Sequence, residues 1–308
     1  MPRNYSISEI PRLPLTFEIF SEAFLPRVDA EIRMTADGWR KDKPLYNAMR
    51  YSLLAGGKRM RPLTMLACAY SVGGLAAAKR GLRVAPSIEM VHVFTLIHDD
   101  LPQIDDSDVR WNKPTCHKVF GEDIALLAGD ALLNEAYRRV LALPSSVFSR
   151  KQGRSVMSVL SSAVAAVVYG QMLDLAAEGR RITPEALREI HLSKTAALLE
   201  ATCVIGGIAG RATCGQLAAL RGFGREMGLA YQIRDDLLMF EGDEKALGKP
   251  VDLDERKRKA TYPRLLGIEK SHTQMEAARK RAVSHLRGAN IDTGLLSGLL
   301  DFAIARVK

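Results

Sequence analysis

The chain of 308 residues contains only four cysteines, Cys68, Cys116, Cys203 and Cys214, and no CxxC pair among them. That spacing excludes the common zinc and redox motifs, and Cys68 and Cys203 lie in alanine-rich apolar runs where a free thiol acts as a small core residue. Unpaired thiols point to a reducing, cytoplasmic setting. Aromatic residues are few, at 6 %. The basic residues form no continuous arm and do not alternate with exposed aromatics, so the net charge of +9 is not the footprint of a nucleic-acid binder. A cationic excess of this kind instead suits small phosphorylated molecules. No run of 18 apolar residues occurs, the longest candidate around Val156 to Val168 being broken by serines, so no membrane span is expected. The first twenty residues carry glutamates and prolines where a signal peptide needs a basic start and an unbroken apolar core.

What the chain does have is apolar residues at helical spacing almost throughout. Leu53, Met60, Leu63 and Leu66 form one such series, Ile88, Val91, Phe94 and Ile97 another, and Leu187, Ile190, Lys194, Ala197 and Leu198 a third. Strand-like alternation is scarce, and the expectation is an all-α fold. Thr183-Pro184-Glu185 reads as an N-cap with proline at the first helical position, and Pro86 as the opening of a helix running to Asp100. Breaks fall near Gly73-Gly74, at residues 143–149, at 178–183 and at 242–259. None is long enough for an interdomain linker, so one domain over residues 1–308 is expected.

Two acidic clusters stand inside apolar helical runs. One is His98-Asp99-Asp100-Leu101-Pro102-Gln103-Ile104-Asp105, the other Arg234-Asp235-Asp236-Leu237-Leu238-Met239. Adjacent carboxylates in an apolar stretch repel one another and resist burial unless a multivalent cation or a basic partner neutralises them. Oxygen ligands at this density suit Mg2+, which binds through one or two carboxylates and leaves other positions to substrate phosphates. In an unbroken helix Asp99 and Asp105 would sit about 120° apart around the axis. Pro102 relieves this, because it cannot continue the hydrogen-bond ladder and forces a bend where the third carboxylate must swing round. In the second cluster Gln232, Asp235 and Asp236 share neighbouring faces at i,i+3 and i,i+4.

Cations are supplied in quantity elsewhere. Gly56-Gly57-Lys58-Arg59-Met60-Arg61 combines flexible backbone with three positive charges. Arg110, the run from Pro114 to His117, Gln171 with Asp174 on one helix face, His191 to Thr195, and the Gly248-Lys249 and Lys259 segments follow in turn. Each alone could be a solvated face; together they provide lysines, arginines and amides for a diphosphate bound through metal.

Taken in order, these segments resemble the trans-isoprenyl diphosphate synthases, the short-chain prenyltransferases that include farnesyl and geranylgeranyl diphosphate synthases. The resemblance runs from about Leu45 to Gly267. It implies antiparallel helices around a central cavity, usually in a homodimer, that condense isopentenyl diphosphate with an allylic diphosphate using three Mg2+ ions. It further implies that Asp99, Asp100, Asp105 and Asp235 bind metal, and that Gly57, Lys58, Arg61 and His92 bind isopentenyl diphosphate. Arg110, Lys194, Thr195, Gln232, Lys249 and Lys259 would grip the allylic diphosphate, with Asp99, Asp105, Lys194 and Asp235 closest to the chemistry. Phe94, five residues before Asp99 and about 7.5 Å along a helix axis, matches an aromatic cavity floor, and with the small Thr95 beside it favours a C15 over a C20 product.

Three departures from the family pattern stand out. Trp111 replaces the second of two arginines, Met239 replaces the third aspartate of the second motif, and Asn112 and Asp252 occupy positions that are usually glycine. A non-catalytic or weakened regulatory subunit, and a terpene cyclase, are the alternatives this leaves open. An HD-type phosphohydrolase would need histidines at a spacing that His92, His117 and His191 lack.

Overall fold

A computed structural model describes residues 15–241 and 259–305, and these are almost entirely helical. In chain order the elements are α1 (Phe17–Asp37), α2 (Pro44–Leu53), α3 (Met60–Leu82), α4 (Ala85–Asp99), β1 (Val109–Arg110), β2 (Lys113–Pro114), α5 (Cys116–Phe120), α6 (Glu122–Leu141), α7 (Arg150–Ala177), α8 (Pro184–His191), a π-helical turn (Leu192–Ala196), α9 (Ala197–Gly210), α10 (Cys214–Glu241), α11 (Tyr262–Leu266), α12 (Ile268–Leu286) and α13 (Thr293–Ala305). The expected breaks at 143–149 and 178–183 are loops. Gly73 and Gly74 kink α3 without ending it. The Lys249 segment lies outside the described residues.

The ends of the helices follow local chemistry. Thr183 caps α8 by accepting the Ala186 amide at 3.2 Å, with Pro184 next in line. Ser149 and Gln152 form a reciprocal capping box on α7, at 3.3 and 3.0 Å. Pro86 lies in the first turn of α4, as its sequence position suggested.

The centre of the molecule is α9, whose residues from Ala201 to Gly210 are all buried. A helix that is apolar on every side must be enclosed, and α9 is packed by α3, α7 and α10. Gly206 permits the α3 crossing, since a Cβ there would come 2.3 Å from the Met65 carbonyl oxygen. The four cysteines are free; Cys68 and Cys203 are buried in this packing.

Two helical stretches, α7 and the continuous run from Pro184 to Gly210, are long and apolar enough to cross a bilayer by length and composition alone, a test that buried core helices also pass. The second run is mostly buried against other helices. Serines interrupt any strictly apolar run in α7, yet its average hydropathy still reaches the range of a membrane helix.

Candidate active site

The first acidic cluster sits where α4 ends. The helix stops at Asp99, ahead of Pro102, and the following turn doubles back so that the Asp105 amide donates to the Asp99 carbonyl at 2.8 Å. The Asp106 amide likewise reaches the Leu101 carbonyl at 3.0 Å. The swing anticipated at Pro102 is therefore a complete chain reversal. It returns Asp105 to the neighbourhood of Asp99 instead of leaving it on another face of a longer helix.

Burial, the Asp105 carboxylate and the Asp100 carboxylate push the Asp99 carboxyl up, while Lys194 and Arg110 pull it down; the balance lies at about 6. Its first and largest cause is burial. Three carboxylates crowded at the end of a helix, where the macrodipole adds further negative potential, are the donor set a hard divalent cation fits. Asp100 is engaged differently: Arg110 holds it through both oxygens, at 2.6 to 3.0 Å. Asp105 is paired with Lys259 at 3.0 Å.

The π-helical turn links the first cluster to α7 and to α10, the helix that carries the second cluster. Lys194, in the π-helical turn, donates to Asp174 of α7 at 2.5 Å and also acts on Asp99 of α4. Its neighbour Thr195 donates to Gln232 of α10 at 2.8 Å. Gly170 lets α7 approach the π turn, for a Cβ there would lie 2.2 Å from the Lys194 amide nitrogen. An extra residue in a helical turn is a recurrent feature of functional sites, and here it brings Lys194 and Thr195 between α4, α7 and α10. Periodicity alone did not reveal this turn; the sequence reads as one continuous helix.

Asp236 is 3 % exposed and has three partners. It accepts from the His191 ring at 2.9 Å, from the Tyr262 amide at 3.0 Å and from the Gln232 side chain at 3.4 Å. The two motif carboxylates of α10 thus stand in different environments, Asp236 buried among these donors and Asp235 half-buried beside it. No spacing rule pairs His191 with Asp236; α8 and α10 meet only in the fold.

The glycine and basic segment runs from the end of α2 into α3. Gly56 and Gly57 have φ of 143° and 104°, which glycine adopts freely. Arg59 is spoken for by structure: it donates to Glu89 at 2.6 Å and Asp29 at 3.0 Å and is 5 % exposed. Burial, with the guanidiniums of Arg61, Arg110 and Arg59, holds the His92 imidazole well below its usual range, so it is neutral. His92 and Arg61 consequently share one electropositive neighbourhood with Arg110. Phe94 is buried, edge-on to the His98 ring at 5.7 Å, and the Thr95 hydroxyl donates to the His92 carbonyl at 2.7 Å.

A further acidic set, Asp106, Asp108 and His117, was not singled out from the sequence. Its ligand atoms lie within 4.8 Å of one another, and Lys118 pairs with Asp108 at 2.8 Å.

Comparison with known proteins agrees with this geometry. The family model described as Polyprenyl synthetase matches residues 42–290. The farnesyl diphosphate synthase of Bacillus subtilis (strain 168) is 41 % identical over 264 residues, covering 85 % of this chain and 88 % of that one. Geranylgeranyl pyrophosphate synthase 12, chloroplastic, of Arabidopsis thaliana is 43 % identical over 249 residues, or 79 % of this chain and 69 % of that one. Among solved structures, geranylgeranyl pyrophosphate synthetase from Pyrococcus horikoshii superposes with a TM-score of 0.83 at 29 % identity, covering 94 % of this chain and 98 % of that chain. The crystal structure of a putative farnesyl-diphosphate synthase from Marinomonas sp. MED121 gives 0.77 at 31 %, covering 94 % of this chain and 99 % of that one.

Proposed function

The chain belongs to the polyprenyl synthetase family, and from that premise we propose that it joins isopentenyl diphosphate head-to-tail to an allylic diphosphate, with the C15 farnesyl diphosphate as its product. It is an enzyme that transfers prenyl groups. The observation that supports the finer reading best is the convergence of Asp99, Asp105, Lys194 and Lys259, drawn from distant parts of the chain, around the end of α4.

Asp99, Asp105 and Asp235 would hold Mg2+, three ions in all by the family resemblance, and Mg2+ when bound supplies neutralisation of the diphosphate leaving group. Asp100 has another task in this reading, since its bidentate grip aims Arg110. Lys194, Lys259, Arg110, Thr195 and Gln232, with Lys249 in addition, receive the oxygens of the allylic diphosphate. Gly57, Lys58, Arg61 and the neutral His92 hold isopentenyl diphosphate.

As the allylic carbon–oxygen bond breaks, its electron pair leaves with the diphosphate, and the lysines stabilise the charge that develops there. The π bond of isopentenyl diphosphate then supplies the electrons of the new carbon–carbon bond. A proton lost from the adjacent carbon to the departing diphosphate restores a double bond. No side-chain nucleophile takes part, so the task of the protein is positioning, charge compensation and exclusion of water.

The C15 product rests on Phe94, a buried aromatic five residues before Asp99 on α4. The protein acts in this reading as a cytoplasmic homodimer. Leu126 and Leu127 on α6 and Val168, Tyr169, Met172 and Leu175 on α7 are all exposed apolar side chains, an arrangement that suits a second copy of the chain.

The test is to incubate pure protein with Mg2+, isopentenyl diphosphate and a C5, C10 or C15 allylic diphosphate, then identify the alcohols after dephosphorylation. Farnesol from the C5 and C10 substrates is the expected result. Cyclic hydrocarbons would identify a terpene cyclase, and no diphosphate release with any substrate would identify a regulatory subunit.

A further inference from the structure

Trp111 combines two unusual properties. It is the first central residue of the β1–β2 hairpin turn, where Val109 faces Pro114 and Arg110 faces Lys113. Both turn residues are left-handed, Trp111 at φ 51° and Asn112 at φ 60°. Two-residue hairpins of this type favour asparagine, aspartate or glycine, because positive φ brings a side chain against its own backbone. Asn112 satisfies that rule and Trp111 breaks it. A bulky residue held at positive φ marks a place where something other than the turn selects the side chain.

The indole does not simply project into solvent, although the residue is 37 % exposed. Its benzo edge lies on Gly57: a Cβ built there would meet Cζ2 at 3.2 Å and Cη2 at 3.4 Å. The hairpin is thereby clasped to the loop that carries Lys58 and leads into Arg61. On the other side of Trp111, Arg110 is fixed by Asp100. The indole therefore joins the loop of one diphosphate site to the hairpin that serves the other, at the point where family members usually carry a second arginine.

We propose that Trp111 is a positioning residue that sets the affinity for isopentenyl diphosphate, by holding the Gly56–Gly57 turn so that this turn and Lys58 beside it need not be ordered anew when the ligand arrives. This rests on the substrate assignment made above. Cutting the ordering cost of a loop is one general route to tighter binding. Loss of the clasp leaves the Gly56–Gly57 turn to be ordered on binding together with the Lys58 side chain, which corresponds to about a tenfold rise in KM.

Trp111→Gly is the informative variant, because glycine adopts the left-handed turn without strain and folding is not put at risk. The expected result is a rise of about tenfold in KM for isopentenyl diphosphate, with KM for the allylic substrate and kcat within about twofold and melting temperature unchanged or higher. Trp111→Phe, which keeps a ring over Gly57, should recover most of the affinity. A second readout is independent of turnover. The chain has two tryptophans, so in a Trp39→Phe background the emission reports Trp111 alone, and titration with isopentenyl diphosphate should shift it saturably. Unchanged KM in Trp111→Gly, or an emission that ignores isopentenyl diphosphate while the enzyme turns over, overturns the proposal and leaves the reaction assignment standing. Failure of the unaltered protein to turn over at all would strike the reaction assignment, and the emission titration would still read the subsite.

Discussion

Asp235 and Asp236 are chemically identical neighbours, and substitution should affect them in opposite ways. Asp236 is buried and accepts hydrogen bonds from the His191 ring at 2.9 Å and the Tyr262 amide at 3.0 Å. Hydrogen bonds to a charged group contribute about 1.5–3 kcal/mol each, and removing the acceptor also leaves both buried donors without a partner. Asp236→Ala should therefore cost about 3–5 kcal/mol, the size of two such hydrogen bonds lost together. For a chain of this length that corresponds to a fall of roughly 5–8 °C in melting temperature. Asp236→Asn keeps one acceptor oxygen and should lose less. The Tyr262 tie also fixes the entry to α11, three residues after the lysine that reaches Asp105, so KM for the allylic substrate should rise as well. Asp235→Ala should instead abolish turnover while shifting melting far less. Thermal unfolding by circular dichroism beside steady-state kinetics decides the matter. An Asp236→Ala protein that melts like the parent yet is inactive would refute the division of labour between the two carboxylates.

Other expectations follow from the same geometry. Asp99→Ala should abolish turnover without unfolding the protein, because removing a crowded carboxylate relieves repulsion, and a retained parental rate would count against the assignment of the site. Phe94→Ala should lengthen the products if that ring is the cavity floor; an unchanged product distribution in a stable variant, read by chromatography of the alcohols, removes it from that role. Glu89→Ala should destabilise the fold by about 1.5–3 kcal/mol, since it removes one charged hydrogen bond from the buried Arg59 guanidinium, which keeps Asp29, and denaturant unfolding with unchanged substrate KM would separate this structural pair from its functional neighbours.

What was legible in the sequence was whatever depends on local spacing. The helical period, the caps at Thr183 and Pro86, and the crowding of Asp99, Asp100 and Asp105 are properties of a few consecutive residues. The π turn was not legible, because inserting one residue into a helix scarcely disturbs an apolar pattern that is already dense around Leu192 to Ala197. Partnerships across the fold were equally hidden. Nothing in the spacing assigns His191 to Asp236, Lys194 to Asp174 or Lys259 to Asp105, for these depend on which helices become neighbours.

The run Lys58-Arg59-Met60-Arg61 shows why residue type alone could not divide structure from function. Its three cations have similar chemistry, and Arg59 has the planar donor fork best suited to an anionic ligand. Yet Arg59 stands at the entry to α3 with φ 50°, and its guanidinium is directed into the protein, where Glu89, Asp29 and the Leu53 carbonyl take its donors. A carboxylate as deeply buried as Glu89 requires such a partner, so Arg59 could not leave it for a diphosphate without stranding that charge. Lys58 is exposed and Arg61 half-buried, so both charges stand nearer to solvent than that of Arg59. The depth at which Arg59 is buried and paired, more than the number of positive charges in the run, therefore sets it apart from the other two as a structural cation.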